Sequence, residues 1–276
     1  MPETLPLVDV DRAHWTEPGA PRPVRTTLWR PARTDPAPLV LFSHGTGGAA
    51  QEFGWLAEAL TRAGYAVAGV DHHGNTASEP YVALGFSFVW ERPRDFTIVL
   101  DALADDPGID LTRVGAAGYS LGGYTVAGLV GARISPRRYR RLLDEPDQTA
   151  LPEYPNLIQE IRRHDPALAY AVSMSACGVD VADDRVRCAF QLAPVLGMVC
   201  DPASLGRISV PVHSLWGEDD DQAPGATGAL VYREHIPGAT ARALPATGHY
   251  DFALRAETRA EVVREALAFF GRVLPA

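Results

Sequence analysis

The sequence predicts an α/β protein whose central sheet is mostly parallel and is covered by helices on both faces. Short continuous apolar runs, typical of buried strands, alternate along the chain with segments in which apolar residues recur at helical spacing. The chain has 276 residues, an ordinary size for one continuous domain of this class. We therefore expect a single domain over residues 1–276.

The alternation of strands and helices begins near the N-terminus. Val24–Arg30 alternates in polarity like an edge strand, and Leu39–Phe42 is a short apolar run typical of a buried parallel strand. Helical spacing from Phe53 to Gly64 and the apolar run Tyr65–Asp71 then complete a β-α-β unit. The later predicted elements are a helix near Asp95–Leu103, strands at Val114, Val186–Leu192 and Val210–Trp216, and a final helix over Glu257–Phe270.

One long stretch interrupts this alternation. Residues 134–178 contain short amphipathic pieces, no clear strand and five prolines, namely Pro136, Pro146, Pro152, Pro155 and Pro166. Long connections without regular structure in a compact domain are usually functional, and they lie on the surface. We expect residues 134–178 to form a small cap that is inserted over the site.

A motif typical of a serine nucleophile follows the strand at Val114. The segment Gly118-Tyr119-Ser120-Leu121-Gly122 stands between that strand and a run with helical spacing, so it predicts a strand, a sharp elbow and a helix. The turn strains the serine backbone and brings the helix close to the strand, so a bulky residue at Gly118 or Gly122 would clash. Ser120 is the predicted nucleophile.

A serine hydroxyl is a poor nucleophile, so a base must take its proton and an acid must orient that base. At elbows of this kind the acid and the histidine follow the serine in the chain. Four histidines do so: His164, His213, His235 and His249. His249 is the predicted base because it stands between the strand-like Ala241–Leu244 and the last helix. His213 lies within a strand and His235 at a helix end, positions typical of packing or of solvent exposure.

The acid is expected after the strand that precedes this histidine. Three consecutive aspartates stand there, and Asp220 is the prediction because it follows Gly217 by three residues and precedes Pro224 by four. Its neighbours are expected to face water. The alternatives are Asp219, Asp221, Asp201 and Asp251, the last of which could instead stabilise its own turn.

Attack by a serine creates an oxyanion that needs two backbone donors. The amide of Leu121, directly after the nucleophile, is one prediction, and the amide of Thr46 in the loop His44-Gly45-Thr46-Gly47 is the other. These glycines also permit a tight turn from strand to helix. The loop lacks the Gly-Lys-Ser/Thr ending of a phosphate loop, which argues against a nucleotide site.

Composition excludes several classes of protein. The formal net charge of −9 disfavours nucleic acid, whose binding needs a clustered basic face. No apolar run approaches the roughly 18 residues of a membrane span, and the first residues lack a secretory signal, so we expect a cytoplasmic protein. The three cysteines, Cys177, Cys188 and Cys200, lack metal-ligand spacing and are expected to be reduced and buried. No metal and no cofactor is predicted.

Several motifs together resemble one known family. They are Phe42-Ser43-His44-Gly45-Thr46-Gly47-Gly48, Asp71-His72-His73-Gly74-Asn75-Thr76, Glu91-Arg92-Pro93-Arg94-Asp95, Gly118 to Gly123, Ala193-Pro194, and Gly248-His249-Tyr250-Asp251-Phe252. The chain resembles serine hydrolases of the α/β-hydrolase superfamily, in particular dienelactone-hydrolase-like proteins related to bacterial platelet-activating-factor acetylhydrolases. The resemblance spans nearly the whole chain. It implies the α/β-hydrolase fold, esterase or lipase-like activity, and Ser120, Asp220 and His249 as the catalytic triad.

Two differences from that family narrow the expectation. Dienelactone hydrolases use a cysteine nucleophile, whereas position 120 is a serine, and the secreted acetylhydrolases carry export signals that this chain lacks. The resemblance therefore predicts neither a dienelactone nor a phospholipid as the substrate.

The predicted function is hydrolysis of small-molecule carboxylic esters through an acyl-enzyme on Ser120. The same residues serve an amidase, a thioesterase or an acyltransferase acting on a specialised metabolite, and leaving-group preference separates these activities. A protein that binds ligands on a hydrolase scaffold without catalysis is a further alternative. The sequence leaves the natural substrate, the substrate-binding residues and the oligomeric state open.

Overall fold

The computed structural model describes residues 1–32, 35–144, 151–164 and 176–276. Within them, one sheet of eight strands has the order β1-β2-β4-β3-β5-β6-β7-β8. The strands are β1 Glu3–Ala13, β2 Pro21–Trp29, β3 Ala37–Ser43, β4 Ala66–His72, β5 Ile109–Tyr119, β6 Val186–Leu192, β7 Val212–Gly217 and β8 Thr240–Leu244. From β4 to β8 every neighbouring pair is parallel, which confirms the predicted fold class.

The N-terminal edge of the sheet differs from the prediction. Val24–Arg30 was expected to be an edge strand, but β2 lies between β1 and β4 and is antiparallel to both. The strand β1 occupies this edge of the sheet, and its Leu5 and Leu7 pack against the core while Val8 and Val10 face solvent. Alternating polarity shows that a strand has one covered face, and it does not show whether both of its edges are paired.

Ten α-helices surround the sheet in the described residues. They are α1 Gly54–Arg62, α2 Ala83–Ser87, α3 Arg92–Ala102, α4 Leu121–Leu129, α5 Pro136–Asp144, α6 Leu157–His164, α7 Pro202–Leu205, α8 Ala229–His235, α9 Asp251–Leu254 and α10 Ala256–Val273. The core cluster on one face holds apolar side chains of α1 and α10, and the cluster on the other face holds those of α3, α4 and α8. Because both faces are covered, the central strand β3 is buried along its whole length.

The structure describes part of the segment 134–178 that the sequence predicts to form a cap. The helices α5 and α6 belong to it, and Leu157 and Ile161 of α6 pack with Ala83 and Phe86 beside the carboxyl ends of the strands. Residues 145–150 and 165–175, with Pro146 and Pro166, lie outside the described part of the chain. The cap as a unit stays a prediction.

The three cysteines are buried and form no disulfide, in agreement with the sequence. Burial raises the pKa of Cys177 to about 11 and the pKa values of Cys188 and Cys200 to about 12. These thiols behave as small core residues. Among the described helices, none combines the length and the apolar character needed to cross a bilayer.

Candidate active site

The predicted nucleophile stands on a strained turn between β5 and α4. Ser120 has φ 53° and ψ −115°, and its amide donates to the carbonyl of Leu192 at 2.8 Å. A Cβ on Gly118 would lie 2.1 Å from the carbonyl oxygen of Gly122, and one on Gly122 would lie 2.0 Å from that of Ser43. Both distances are far below van der Waals contact. The predicted need for glycine at these two positions is therefore confirmed.

Asp220 lies just after β7, with its side chain turned inward. One carboxylate oxygen accepts hydrogen bonds from the amides of Gln222 and Ala223 at 3.0 and 2.7 Å. These bonds hold the carboxylate in one orientation and leave its other oxygen free to face the histidine. The neighbouring Asp219 and Asp221 are exposed to solvent, as the sequence predicted.

The structure brings Ser120, His249 and Asp220 together in one hydrogen-bonded chain. Nδ1 of His249 lies 2.8 Å from the free oxygen of Asp220, and Nε2 lies 3.0 Å from Oγ of Ser120. Because a carboxylate accepts, Nδ1 carries the proton and Nε2 accepts from the serine hydroxyl. All three residues are less than 10% exposed.

The alternative bases and acids lie elsewhere. His213 contacts the hydroxyl of Thr240 at 2.7 Å and packs between Phe190 and Phe269, and burial lowers its pKa. His235 is half-buried at the end of α8, and the side chain of His164 lies outside the described residues. Asp201 accepts from the amide of Ala203, and Asp251 accepts from the amide of Gly248, so each stabilises its own turn.

The glycine-rich loop after β3 lies against Ser120. A Cβ on Gly45 would lie 3.2 Å from the Cβ of Ser120 and 3.0 Å from the Tyr119 ring. Within the described residues, neither the Thr46 amide nor the Leu121 amide donates to a protein acceptor. Both residues line the cavity that also contains Ser120. Two residues whose amides have no acceptor in the described part of the chain thus line the cavity beside Ser120.

Two cavities meet at the hydrogen-bonded chain of Ser120, His249 and Asp220. The larger cavity has a volume of about 600 Å³ and a mostly apolar lining that includes Phe86, Val89, Leu142, Leu151, Leu157, Ile161, Val195, Leu196 and Met198. The smaller cavity, of about 410 Å³, is lined by the glycine-rich loop with Glu52, Tyr250, Leu254 and Arg259. Thr46, Ser120, Glu153 and His249 line both cavities. A bond held at Ser120 would therefore have room on each side.

The sequence reasoning missed two sets of residues at the site. The hydroxyl of Tyr119 donates to the carbonyl of His249 at 2.9 Å, and an aromatic side chain directly before the serine was the available signal. Apolar residues of α6 line the larger cavity, but an amphipathic pattern gives no indication of which cavity it covers. Phe86 both packs against α6 and lines this cavity.

Comparison with known proteins agrees with this architecture. Residues 34–142 match the family model described as serine aminopeptidase, S33. A dienelactone hydrolase from Anabaena variabilis matches 99% of this chain over 99% of its own length, with 16% identity and a TM-score of 0.61. The chain has the α/β-hydrolase fold.

Two further solved structures share the fold at similar distance. Esterase 2 from Thermogutta terrifontis, in a structure phosphorylated by paraoxon, is 15% identical over 99% of this chain and 95% of its own, with a TM-score of 0.64. A puromycin-hydrolyzing peptidase from Mycobacterium tuberculosis is 16% identical over 99% of this chain, with a TM-score of 0.63. This chain spans only 39% of that peptidase. No curated protein sequence matches this chain.

Proposed function

We propose that this α/β hydrolase cleaves carboxylic esters of small molecules through an acyl-enzyme on Ser120. The observation that carries the proposal is the hydrogen-bonded chain from Asp220 through His249 to Ser120, with distances of 2.8 and 3.0 Å, at the junction of two cavities. To attack an acyl carbon, a serine needs a base that takes its proton and a second group that orients this base. This geometry supplies both.

The chemistry follows from the polarity of that chain. Nε2 of His249 takes the proton as Oγ of Ser120 attacks the carbonyl carbon, and it then returns the proton to the leaving alcohol. Asp220 keeps Nδ1 protonated and stabilises the imidazolium that forms between these steps. The amides of Thr46 and Leu121 are the proposed donors to the oxyanion. Water activated by His249 then releases the acid.

The linings of the two cavities indicate which part of an ester each cavity would hold. The larger one is lined mainly by aliphatic and aromatic side chains, so we assign it to an apolar group of the substrate. The smaller one is bordered by the glycine-rich loop with Glu52, Glu153 and Arg259, and its lining is also largely apolar, so we assign the other side of the ester to it without a preference for polarity. The proposed substrate class is therefore a small ester whose two sides occupy the two cavities, with an apolar group in the larger one.

The test is turnover of p-nitrophenyl esters from acetate to decanoate by the wild type and by Ser120→Ala, with both proteins shown to be folded by circular dichroism. The proposal expects turnover by the wild type and a loss of at least about 10³-fold in the variant. Equal rates in both would contradict Ser120 as the nucleophile. Ligand binding without turnover, unchanged in Ser120→Ala, would favour the binding-protein alternative.

Amide hydrolysis is the second candidate. It is favoured by the peptidase description of the family model that matches residues 34–142. The same nucleophile serves esters and amides, and an amide requires protonation of a poorer leaving group. Matched p-nitrophenyl esters and p-nitroanilides of one acid distinguish the two functions. A kcat/KM for the anilide within about tenfold of the ester value would favour the amidase.

A further inference from the structure

Two sequence motifs have no role in the chemistry so far. They are Asp71-His72-His73-Gly74-Asn75-Thr76, at the end of β4, and Glu91-Arg92-Pro93-Arg94-Asp95, at the start of α3. We propose that Arg92, assisted by His72 and Asn75, is a positioning residue that fixes the amide of Thr46 toward the oxyanion. This inference rests on the proposed function.

The loop from His44 to Gly48 is held on every side of Thr46. Arg92 donates to the His44 carbonyl at 2.5 Å, and His44 Nδ1 lies 2.6 Å from the Gly45 carbonyl. The Gly47 amide donates to Oδ1 of Asn75 at 2.6 Å, and the Gly47 carbonyl accepts from the Tyr81 hydroxyl at 2.7 Å. The Gly48 carbonyl accepts from the Ala77 amide at 3.0 Å. The Thr46 amide, in the middle of this set, has no protein acceptor among the described residues. The framework leaves one donor free, next to Ser120.

Arg92 holds this loop from within the core. The residue is 3% exposed, and its Nη2 donates to the carbonyl of His44 and, at 3.3 Å, to Oγ of Ser43. Its Nε and Nη1 have no partner in the described part of the chain. A buried guanidinium with unpaired N–H groups costs folding free energy. A contribution to folding stability therefore does not explain why a buried arginine stands at this position, whereas its hydrogen bonds to the loop do.

A second serine–histidine–aspartate chain lies behind the loop. Nδ1 of His72 lies 2.6 Å from the carboxylate of Asp95, and Nε2 lies 2.9 Å from Oγ of Ser43. Its polarity matches that of the chain ending at Ser120, yet Ser43 and His72 are no more than 1% exposed. No substrate reaches this serine. The chain instead joins the ends of β3 and β4 to α3, and Asp95 supplies the negative charge that accompanies Arg92.

Arg92 and His72 also determine the protonation of His44 and, through it, the polarity of the peptide group between Gly45 and Thr46. The backbone amide of His72 donates to Nε2 of His44 at 3.2 Å, so the proton of the neutral His44 ring stands on Nδ1. Burial and the nearby Arg92 lower the pKa of His44 well below its ordinary value, which keeps the ring neutral. Nδ1–H donates to the Gly45 carbonyl, which belongs to the same peptide group as the Thr46 N–H. A hydrogen bond to the carbonyl polarises the peptide and strengthens its N–H as a donor.

The experiment compares Arg92→Met and Asn75→Ala with the matched control Arg94→Met, an exposed arginine two residues further along α3. Steady-state kinetics with a p-nitrophenyl ester are combined with inhibition by a trifluoromethyl ketone, whose adduct carries the oxyanion. Arg92→Met should lower kcat by about 10- to 100-fold, weaken the ketone by the same factor and leave KM within about twofold. Asn75→Ala should act in the same direction, and Arg94→Met should match the wild type.

Wild-type kcat and ketone affinity in either folded Arg92→Met or folded Asn75→Ala would overturn the proposal. So would a loss that appears in KM alone. Amide hydrogen exchange over Gly45–Gly48 gives a readout that needs no turnover. If the wild type cleaves no ester, the proposed function fails, and exchange decides this inference: faster exchange of the loop in Arg92→Met supports it, and unchanged exchange contradicts it.

Discussion

The hydroxyl of Tyr119 donates a hydrogen bond to the backbone carbonyl of His249 at 2.9 Å. The two rings also pack against each other, with centroids 5.1 Å apart. Burial raises the pKa of Tyr119 far above its ordinary value, so the hydroxyl remains a donor. Because Tyr119 directly precedes Ser120, one residue joins the elbow at Ser120 to the loop that carries His249.

Removing this bond should slow catalysis more than it affects substrate binding. We expect Tyr119→Phe to lower kcat by about 3- to 10-fold, because a loss of about 1 kcal/mol in alignment corresponds to this factor. Tyr65→Phe is the matched control, since Tyr65 donates a buried hydrogen bond to the Leu274 carbonyl at 3.0 Å on another part of the molecule. It should lose similar stability and keep its kcat. Equal kcat losses in the two variants would refute the link.

Close packing at the elbow predicts opposite effects for two glycine substitutions. Gly122→Ala places a Cβ 2.0 Å from the Ser43 carbonyl, so it should reduce the free energy of unfolding by about 1–3 kcal/mol or more. Gly271→Ala, in the last helix with nothing within 4 Å, should raise it by up to about 1 kcal/mol. Urea unfolding measures both changes. A stable, active Gly122→Ala would contradict the described packing.

The elements that carry Ser120, Asp220 and His249 were predictable because each has a characteristic local sequence pattern. A buried strand followed by glycine, serine and glycine indicates the elbow around Ser120. Three consecutive aspartates were harder to separate, yet glycine spacing favoured Asp220, whose carboxylate lies 2.8 Å from His249 while its neighbours face water. Local patterns succeed where the backbone itself requires a particular residue.

The shape of the larger cavity predicts a preference for the size of the apolar group. Ile161 of α6 is buried and lines this cavity, so Ile161→Trp should fill part of its roughly 600 Å³. The chain-length optimum for p-nitrophenyl esters should then move to shorter acids, with acetate turnover kept. Val10→Trp, on the exposed edge strand, is the control and should leave the optimum in place. An unchanged optimum in Ile161→Trp would assign the apolar group to another region.

Two buried histidines, His44 in the glycine-rich loop and His72 at the end of β4, predict that the free energy of unfolding falls at mildly acidic pH. Burial lowers the pKa of His72 from 6.5 to about 4, and burial also lowers that of His44. Both rings are neutral in the folded state and take up protons on unfolding. The free energy of unfolding is therefore highest above pH 6.5, and it decreases as the pH falls toward 4. Each proton taken up contributes a slope of about 1.4 kcal/mol per pH unit.

Urea unfolding between pH 7.5 and 4.5 measures that slope. His72→Gln should have a shallower dependence than the wild type, because one of the two rings is absent. His235→Gln is the control, since His235 is half-buried at a helix end. Identical slopes in the wild type and His72→Gln would show that His72 does not take up a proton on unfolding.

Long-range contacts were not predictable from the sequence. Arg92 and Ser43 are 49 positions apart, and Tyr119 and His249 are 130 apart, so no local pattern connects either pair. The edge position of β1 was missed for the same reason, since strand order depends on which segments pair and not on their own periodicity. Side chains that position the candidate site were therefore visible only in the assembled fold.

The most direct test of the account is the mass of the intact protein during turnover of a p-nitrophenyl ester. We expect a burst of p-nitrophenol and a mass increase equal to one acyl group, which proteolysis maps to the peptide containing Ser120. Ser120→Ala should show neither. An acyl group on another residue, or turnover by Ser120→Ala at the wild-type rate, would contradict the central claim.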